Sequence, residues 1–197
     1  MATARYDEFP FGFSWVDDTL VRTSHALAAD GRVYLVDPVD DPDALARAAA
    51  LGEPAAVVQL LDRHGRDCAP IAARLGVPHL KVPEAVPGSP FEVVPVLSWP
   101  AWHEVALWWP AERALVVPEA IGTTPLFTAG EGAAGVHILL RLFPPGAVRG
   151  FAPEHLLVGH GAGVHGPAAA EALRHALDRS RRDLPRAVAK LPSVARR

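Results

Sequence analysis

Between residues 32 and 82 the chain runs strand, helix, strand, helix, strand, and this alternation limits its fold more than any other feature. Residues 32–36 form a compact apolar segment ending at Asp37-Pro38. Asp40-Asp41-Pro42-Asp43 then supplies acidic groups and an early proline, as a first helical turn prefers, and residues 44–51 run to a stop at Gly52. Residues 55–61 are again apolar and of strand length, residues 69–75 make a short helix ending at Gly76, and residues 78–82 make the third strand. Strands separated by single helices pair in parallel, with the helices packed on the sheet face.

The flanks read differently. Residues 13–16 and 21–28 are partly alternating apolar segments, bounded by the turn dipeptides Asp17-Asp18 and Asp30-Gly31. Residues 91–97, 104–109 and 114–117 read as successive strands, the last pair joined by Pro110-Ala111-Glu112-Arg113, so a second sheet rich in antiparallel pairs is expected. The glycine-bearing segment 124–135 is a connection, 136–143 is expected to be helical, 156–158 is a strand and 168–180 a helix. The basic tail 181–197 reads as a solvated helix end. No repeat, linker or composition shift marks a boundary, so residues 1–197 are read as one α/β domain.

Composition excludes several classes. The 197 residues are 50% hydrophobic and 21% charged, enough for one buried core and without a charge run that would keep a segment disordered. A net charge of −3 and the lack of a basic stripe interleaved with aromatics argue against a nucleic-acid or membrane-surface partner. The single cysteine, Cys68, excludes an internal disulfide. No apolar run reaches bilayer length, and Met1 to Glu8 lack the pattern of a secretory leader, so a cytoplasmic protein is expected. The abundance of Ala, Arg, Gly and Pro points to a GC-rich, bacterial source.

The polar residues that can carry chemistry lie just past strand ends, where α/β proteins place their sites. They are the turn Asp62-Arg63-His64-Gly65-Arg66-Asp67, the pair Pro118-Glu119, and Gly159-His160-Gly161. Each has an ordinary reading as well. Asp67 directly precedes Cys68-Ala69-Pro70 and suits a helix N-cap. Asp62 and Arg63 suit a solvated strand end, and a lone histidine such as His64 is more often structural. The glycines beside His160 let the backbone approach a pocket closely. Cys68 reads as a small buried residue, and Trp99, Trp102, Trp108 and Trp109 as hairpin packing. His25, His79, His137, His155, His165 and His175 show no ligand spacing.

Taken in order, these residues resemble the metallo-β-lactamase fold superfamily over roughly residues 13–180. Leu35-Val36-Asp37 matches the family's strand ending in aspartate, and Asp62-x-His64-x-Arg66-Asp67 stands in the register of its His-x-His-x-Asp-His loop. Trp99 to Leu107, Pro110 to Arg113, Val117-Pro118-Glu119 and Gly159-His160-Gly161 follow in the family's order. The resemblance implies a four-layer αββα sandwich and, in ordinary members, two bound cations.

The departures bear on that chemistry. By position, the first metal's ligands become Asp62, His64 and Pro100, the second's Arg66, Asp67 and His160, and the bridging aspartate becomes Glu119. Asp37 is expected to support the loop by hydrogen bonds, and His103 is a candidate for the missing histidine. A guanidinium has five donors and no lone pair and repels a divalent cation, so Arg66 opposes a two-zinc site. Two arrangements stay open. One is a single Zn, Fe or Mn ion on His64, Glu119 and His160, with Asp62 or Asp67 as the catalytic carboxylate. The other, favoured, has Arg66 in place of the cation, paired with Asp67, Asp62 or Glu119 and with no metal. The function expected is binding of a small ligand or a partner in the cleft without two-zinc hydrolysis; the alternative is a one-metal hydrolase of an ester, lactone, thioester or phosphoester.

Overall fold

The computed structural model of the chain describes residues 5–17 and 21–194. Strands β1 (Arg5–Phe9), β2 (Gly12–Asp17), β3 (Arg22–Ala29) and β4 (Arg32–Val36) form an antiparallel meander. Helix α1 (Pro42–Ala49), β5 (Glu53–Gln59), α2 (Cys68–Leu75) and β6 (His79–Lys81) extend it by two parallel crossovers, giving a six-stranded sheet in chain order. Local chemistry fixes the helix ends. Asp41 Oδ1 accepts hydrogen bonds from the Asp43 and Ala44 N–H groups, 3.0 Å each, and Gly76 closes α2 in the left-handed region at φ 67°.

The second sheet contains β7 (Glu92–Trp99), β8 (Trp102–Trp109) and β9 (Ala114–Val117). The short pair β10 (Ile121–Gly122) and β11 (Gly135–Val136) then flanks α3 (Pro125–Thr128). The sheet is completed by β12 (His155–Val158) and β13 (Val164–His165), in the order β13-β12-β9-β8-β7, with β12 parallel to β9. Helices α4 (Pro167–Arg179) and α5 (Leu184–Val194) follow.

Side chains of a strand alternate between its two faces, and here both faces of each sheet are covered. Val33, Leu35 and Val57 turn toward Ala44, Ala48, Ile71 and Ala72 of the first pair of helices. Their neighbours Tyr34, Val36 and Val58 meet Leu107, Val116 and Leu157 of the second sheet. Leu115, Val117, Leu156 and Val158 turn outward onto Ala169, Leu173 and Leu177 of α4. The layers are therefore helix, sheet, sheet, helix, the αββα order expected.

Residues 136–143 are not a helix. Val136 pairs with Ile121, the His137 N–H donates to the Ala120 carbonyl at 3.0 Å, and a single 3-10 turn, Ile138–Leu140, precedes Pro144-Pro145. The apolar residues of this stretch do not share one buried helical face: Val136 and Leu140 enter the core, while Leu139, Leu142 and Phe143 are exposed. The tail is more than a solvated helix end: α5 is a separate helix that buries Ala187 and packs near α3. Residues 18–20 of the turn expected at Asp17-Asp18, the first four residues, and residues 195–197 of the tail lie outside the described residues. No described helix is long and apolar enough to cross a membrane.

Candidate functional site

Four strand ends converge on one cleft. Asp37 follows β4, His64 sits in the turn after β5, and Glu119 and His160 follow the paired parallel strands β9 and β12, whose last partners are Val117 and Val158. Asp37 is buried; its Oδ1 accepts from the Leu60 N–H at 3.0 Å, and its Oδ2 lies 3.0 Å from His64 Nδ1. His64 Nε2 and His160 Nε2 lie 3.0 and 2.9 Å from the same oxygen, Glu119 Oε2. A third ring completes the cluster: His137 Nε2 stands 3.4 Å from Glu119 Oε1. The Leu139 N–H donates to His137 Nδ1, so the His137 proton resides on Nε2 and faces the carboxylate.

The electrostatics follow from this packing. Burial opposes the charge of Glu119, yet the hydrogen bonds from His160 and His64 outweigh it and hold the carboxyl well below its usual range. Burial likewise opposes the charge of Asp37, and the neighbouring His64 and Arg66 overcome it. For His64, burial disfavours the imidazolium, but Asp37 and Glu119 together raise its pKa above the ordinary histidine value. Both nitrogens of His64 face carboxylates, so without a cation the ring must carry two protons. A cation between Nε2 and Glu119 would replace one of them.

Within the described residues His64, Glu119 and His160 form a group that can hold a metal ion, their ligand atoms all lying within 4.8 Å of one another. The donor set fits one borderline divalent cation: two imidazoles and one carboxylate, with His64 oriented by the carboxylate of Asp37 behind it. Arg66 occupies the floor of the cleft, and its guanidinium donates to the carbonyls of Thr23 at 2.6 Å, Asp37 at 2.8 Å and Gly159 at 3.1 Å.

The expected pairing of Arg66 with Asp67, Asp62 or Glu119 is thus corrected: its hydrogen bonds go to backbone oxygens. Asp67 turns away, its Oδ2 accepting from the Asp40 N–H at 2.8 Å, and it makes no side-chain cap bond to α2. Asp62 lies beside β8, its Oδ2 3.1 Å from His103 Nδ1. His103 therefore pairs with Asp62 outside the cluster and does not replace the missing histidine. Neither Asp62 nor Asp67 lines the cleft, which is bounded by Arg22, Leu61, Arg63, His64, Arg66, Glu119, His137 and His160. A catalytic role for those two aspartates has no geometric support. Cys68 is buried, and burial pushes its thiol up to about 12, so it is inert.

Sequence reasoning missed His137 and Arg22, and gave Arg63 of the turn no role beyond a solvated strand end. Reading 136–143 as a helix concealed His137, and only the pairing of β10 with β11 carries it to Glu119. The glycine before His160 has a steric reason: a Cβ on Gly159 would lie 2.1 Å from the Pro118 carbonyl oxygen. Gly159→Ala must part the ends of β9 and β12, and a loss of about 1–3 kcal/mol in urea unfolding is expected. An unchanged midpoint would show that this close approach is not needed.

No family model and no curated protein matches the sequence. Solved structures do. DIM-1 metallo-β-lactamase exposed to ceftazidime aligns with a TM-score of 0.58 at 13% identity, over 90% of this chain and 97% of that one. The inverting sec-alkylsulfatase Pisa1 from Pseudomonas sp. aligns with a TM-score of 0.59 at 14% identity, over 98% of this chain and 42% of that one. The flavodiiron protein from Giardia intestinalis aligns with a TM-score of 0.59 at 14% identity, over 92% of this chain and 60% of that one. At such identity the likeness carries the architecture and not the chemistry: this chain has the metallo-β-lactamase fold.

Proposed function

We propose that this protein binds one small ligand in the cleft, with at most one divalent cation at His64, Glu119 and His160, and that it does not perform two-metal hydrolysis. The observation that carries this reading is the Arg66 guanidinium, seated on three carbonyl oxygens where the family resemblance puts a metal-binding aspartate. A fixed positive charge there opposes a second cation. When bound, the single cation supplies Lewis-acid polarisation of a ligand oxygen. Glu119 carries the negative charge that holds it, and Asp37 orients His64. The same reading takes the protein as cytoplasmic, with neither nucleic acid nor membrane as partner.

A second reading is favoured by the shared Glu119 oxygen: a one-metal hydrolase of an ester, lactone, thioester or phosphoester. Elemental analysis and calorimetric titration with Zn, Mn and Fe test both. The expected result is no more than one cation per chain, with Asp37→Asn weakening its binding about 10–100-fold and His160→Ala by at least as much. Two cations per chain would overturn the proposal. Turnover of an ester or phosphoester panel that appears with one equivalent of metal and vanishes in His160→Ala would move the conclusion to the hydrolase.

A further inference from the structure

We propose that the ligand of this cleft is a small oxyanion, bearing a phosphate or carboxylate group, and that Arg22 and Arg63 recognise it. The inference rests on the reading of the cleft as a ligand site. The whole chain carries −3, yet the side chains lining this cleft of about 360 Å³ include three guanidiniums and three imidazoles against one carboxylate, Glu119. The cleft is therefore a local cationic pocket in an acidic protein, and such a pocket concentrates anions. Glu119 offsets only one of the three guanidinium charges, and its two oxygens already face His64, His160 and His137.

The three arginines are not equivalent. Arg66 turns both terminal nitrogens to the Thr23, Asp37 and Gly159 carbonyls, and its Nε–H is buried, so it contributes chiefly its charge. The Arg22 side chain is half-buried and makes no hydrogen bond or ion pair among the described residues, while its backbone bridges to His160. Arg63 lies over Trp102, its guanidinium carbon 4.3 Å from the ring centroid, and its side chain has no carboxylate partner among the described residues. A cation–π contact uses no N–H hydrogen bond of the guanidinium, so those donors stay available for an oxyanion. Trp102 is itself fixed, its Nε1 donating to Glu104 Oε2 at 2.7 Å.

The test is calorimetric titration of the full chain with sodium phosphate and with sodium acetate at constant ionic strength, in chelator and again with one equivalent of zinc, metal content being measured on the same samples. Saturable binding in chelator is expected, weakened about tenfold by Arg22→Gln and by Arg63→Gln, the loss of one charge-assisted contact each. Arg22→Lys, which keeps the charge, should retain more of the affinity than Arg22→Gln. Tighter phosphate than acetate assigns a phosphoryl ligand, and the reverse a carboxylate. Circular dichroism of the exposed-site variant Arg63→Gln controls for folding. Binding unchanged in both glutamine variants, or seen only with zinc, would overturn the assignment of the arginines. Two cations per chain would overturn the one-cation reading instead, whatever the anion does.

Discussion

Arg66→Ala is expected to lower folding stability by about 3–5 kcal/mol, because it removes a largely buried charge and takes a bond from each of its partners. The guanidinium joins the first sheet to the second: Thr23 belongs to β3, Asp37 ends β4, and Gly159 follows β12. The same seam is closed by the Thr23 N–H donating to the Gly159 carbonyl at 2.9 Å and the Thr23 hydroxyl donating to the Gly161 carbonyl at 2.6 Å. Removing Arg66 takes one bond from each of the Thr23, Asp37 and Gly159 carbonyls, of which Asp37 keeps the Ser24 hydroxyl and Gly159 the Thr23 N–H, and takes a positive charge from beside Asp37 and Glu119. Urea unfolding in chelator measures the loss. Arg66→Lys should recover less than half of it, since one ammonium cannot span three acceptors as a planar fork does. A loss under about 1 kcal/mol would mean that the seam holds without the arginine.

The second large effect is in pH dependence, where two buried groups oppose each other. Glu104 is fully buried and accepts from the Trp102 Nε1–H at 2.7 Å, the Ala120 N–H at 2.8 Å and the Glu119 N–H at 3.2 Å. Burial dominates, and Glu119 adds to it, raising the Glu104 carboxyl to about 7. A raised carboxyl keeps its proton in the folded state while the unfolded chain has lost it. Its contribution is therefore full below its ordinary value near 4.5 and lost as pH rises toward 7. His25, buried with Ser14 Oγ 2.8 Å from its Nδ1, is pushed by burial and by Arg66 down to about 4. Its contribution runs the other way, present above 6.5 and lost as pH falls toward 4.

Each amounts to about 3 kcal/mol over its full range, or ~1.4 kcal/mol per pH unit. Between pH 4.5 and 6.5 the two slopes cancel. Unfolding free energies measured across that interval should then rise with pH in Glu104→Gln and fall with pH in His25→Leu, each relative to the parent chain. His137 and His155, both lowered by burial, add to the slope of His25 in either background and leave these differences intact. Parallel pH profiles for both variants and the parent would refute the assignment of opposed buried charges.

The candidate site was partly legible in the sequence. His64, Glu119 and His160 were identifiable because each follows an apolar run of strand length, and the carboxyl ends of neighbouring strands in such sheets lie side by side. The resemblance to a known loop then gave each of them a place. That reasoning failed for Asp62 and Asp67, which occupy the same turn. Where a turn aims its side chains depends on backbone angles such as the φ of 29° at Arg66, and residue type does not encode them. His137 carries no spacing signal, since it reaches Glu119 from a loop whose register is fixed only by pairing with β10.

By itself the sequence determined the elements: periodic apolar runs and their helix stops imply parallel βαβ units and a second, antiparallel-rich sheet, while the αββα order came from the resemblance to a known family. It also determined that the cleft would hold an arginine where a metal ligand is expected. What that arginine does was decided by tertiary structure alone. Three carbonyl oxygens from β3, β4 and β12, far apart in the chain, come within reach of one planar cation only after the sheets have packed. Those acceptors, more than the carboxylates nearby in sequence, set where the charge points.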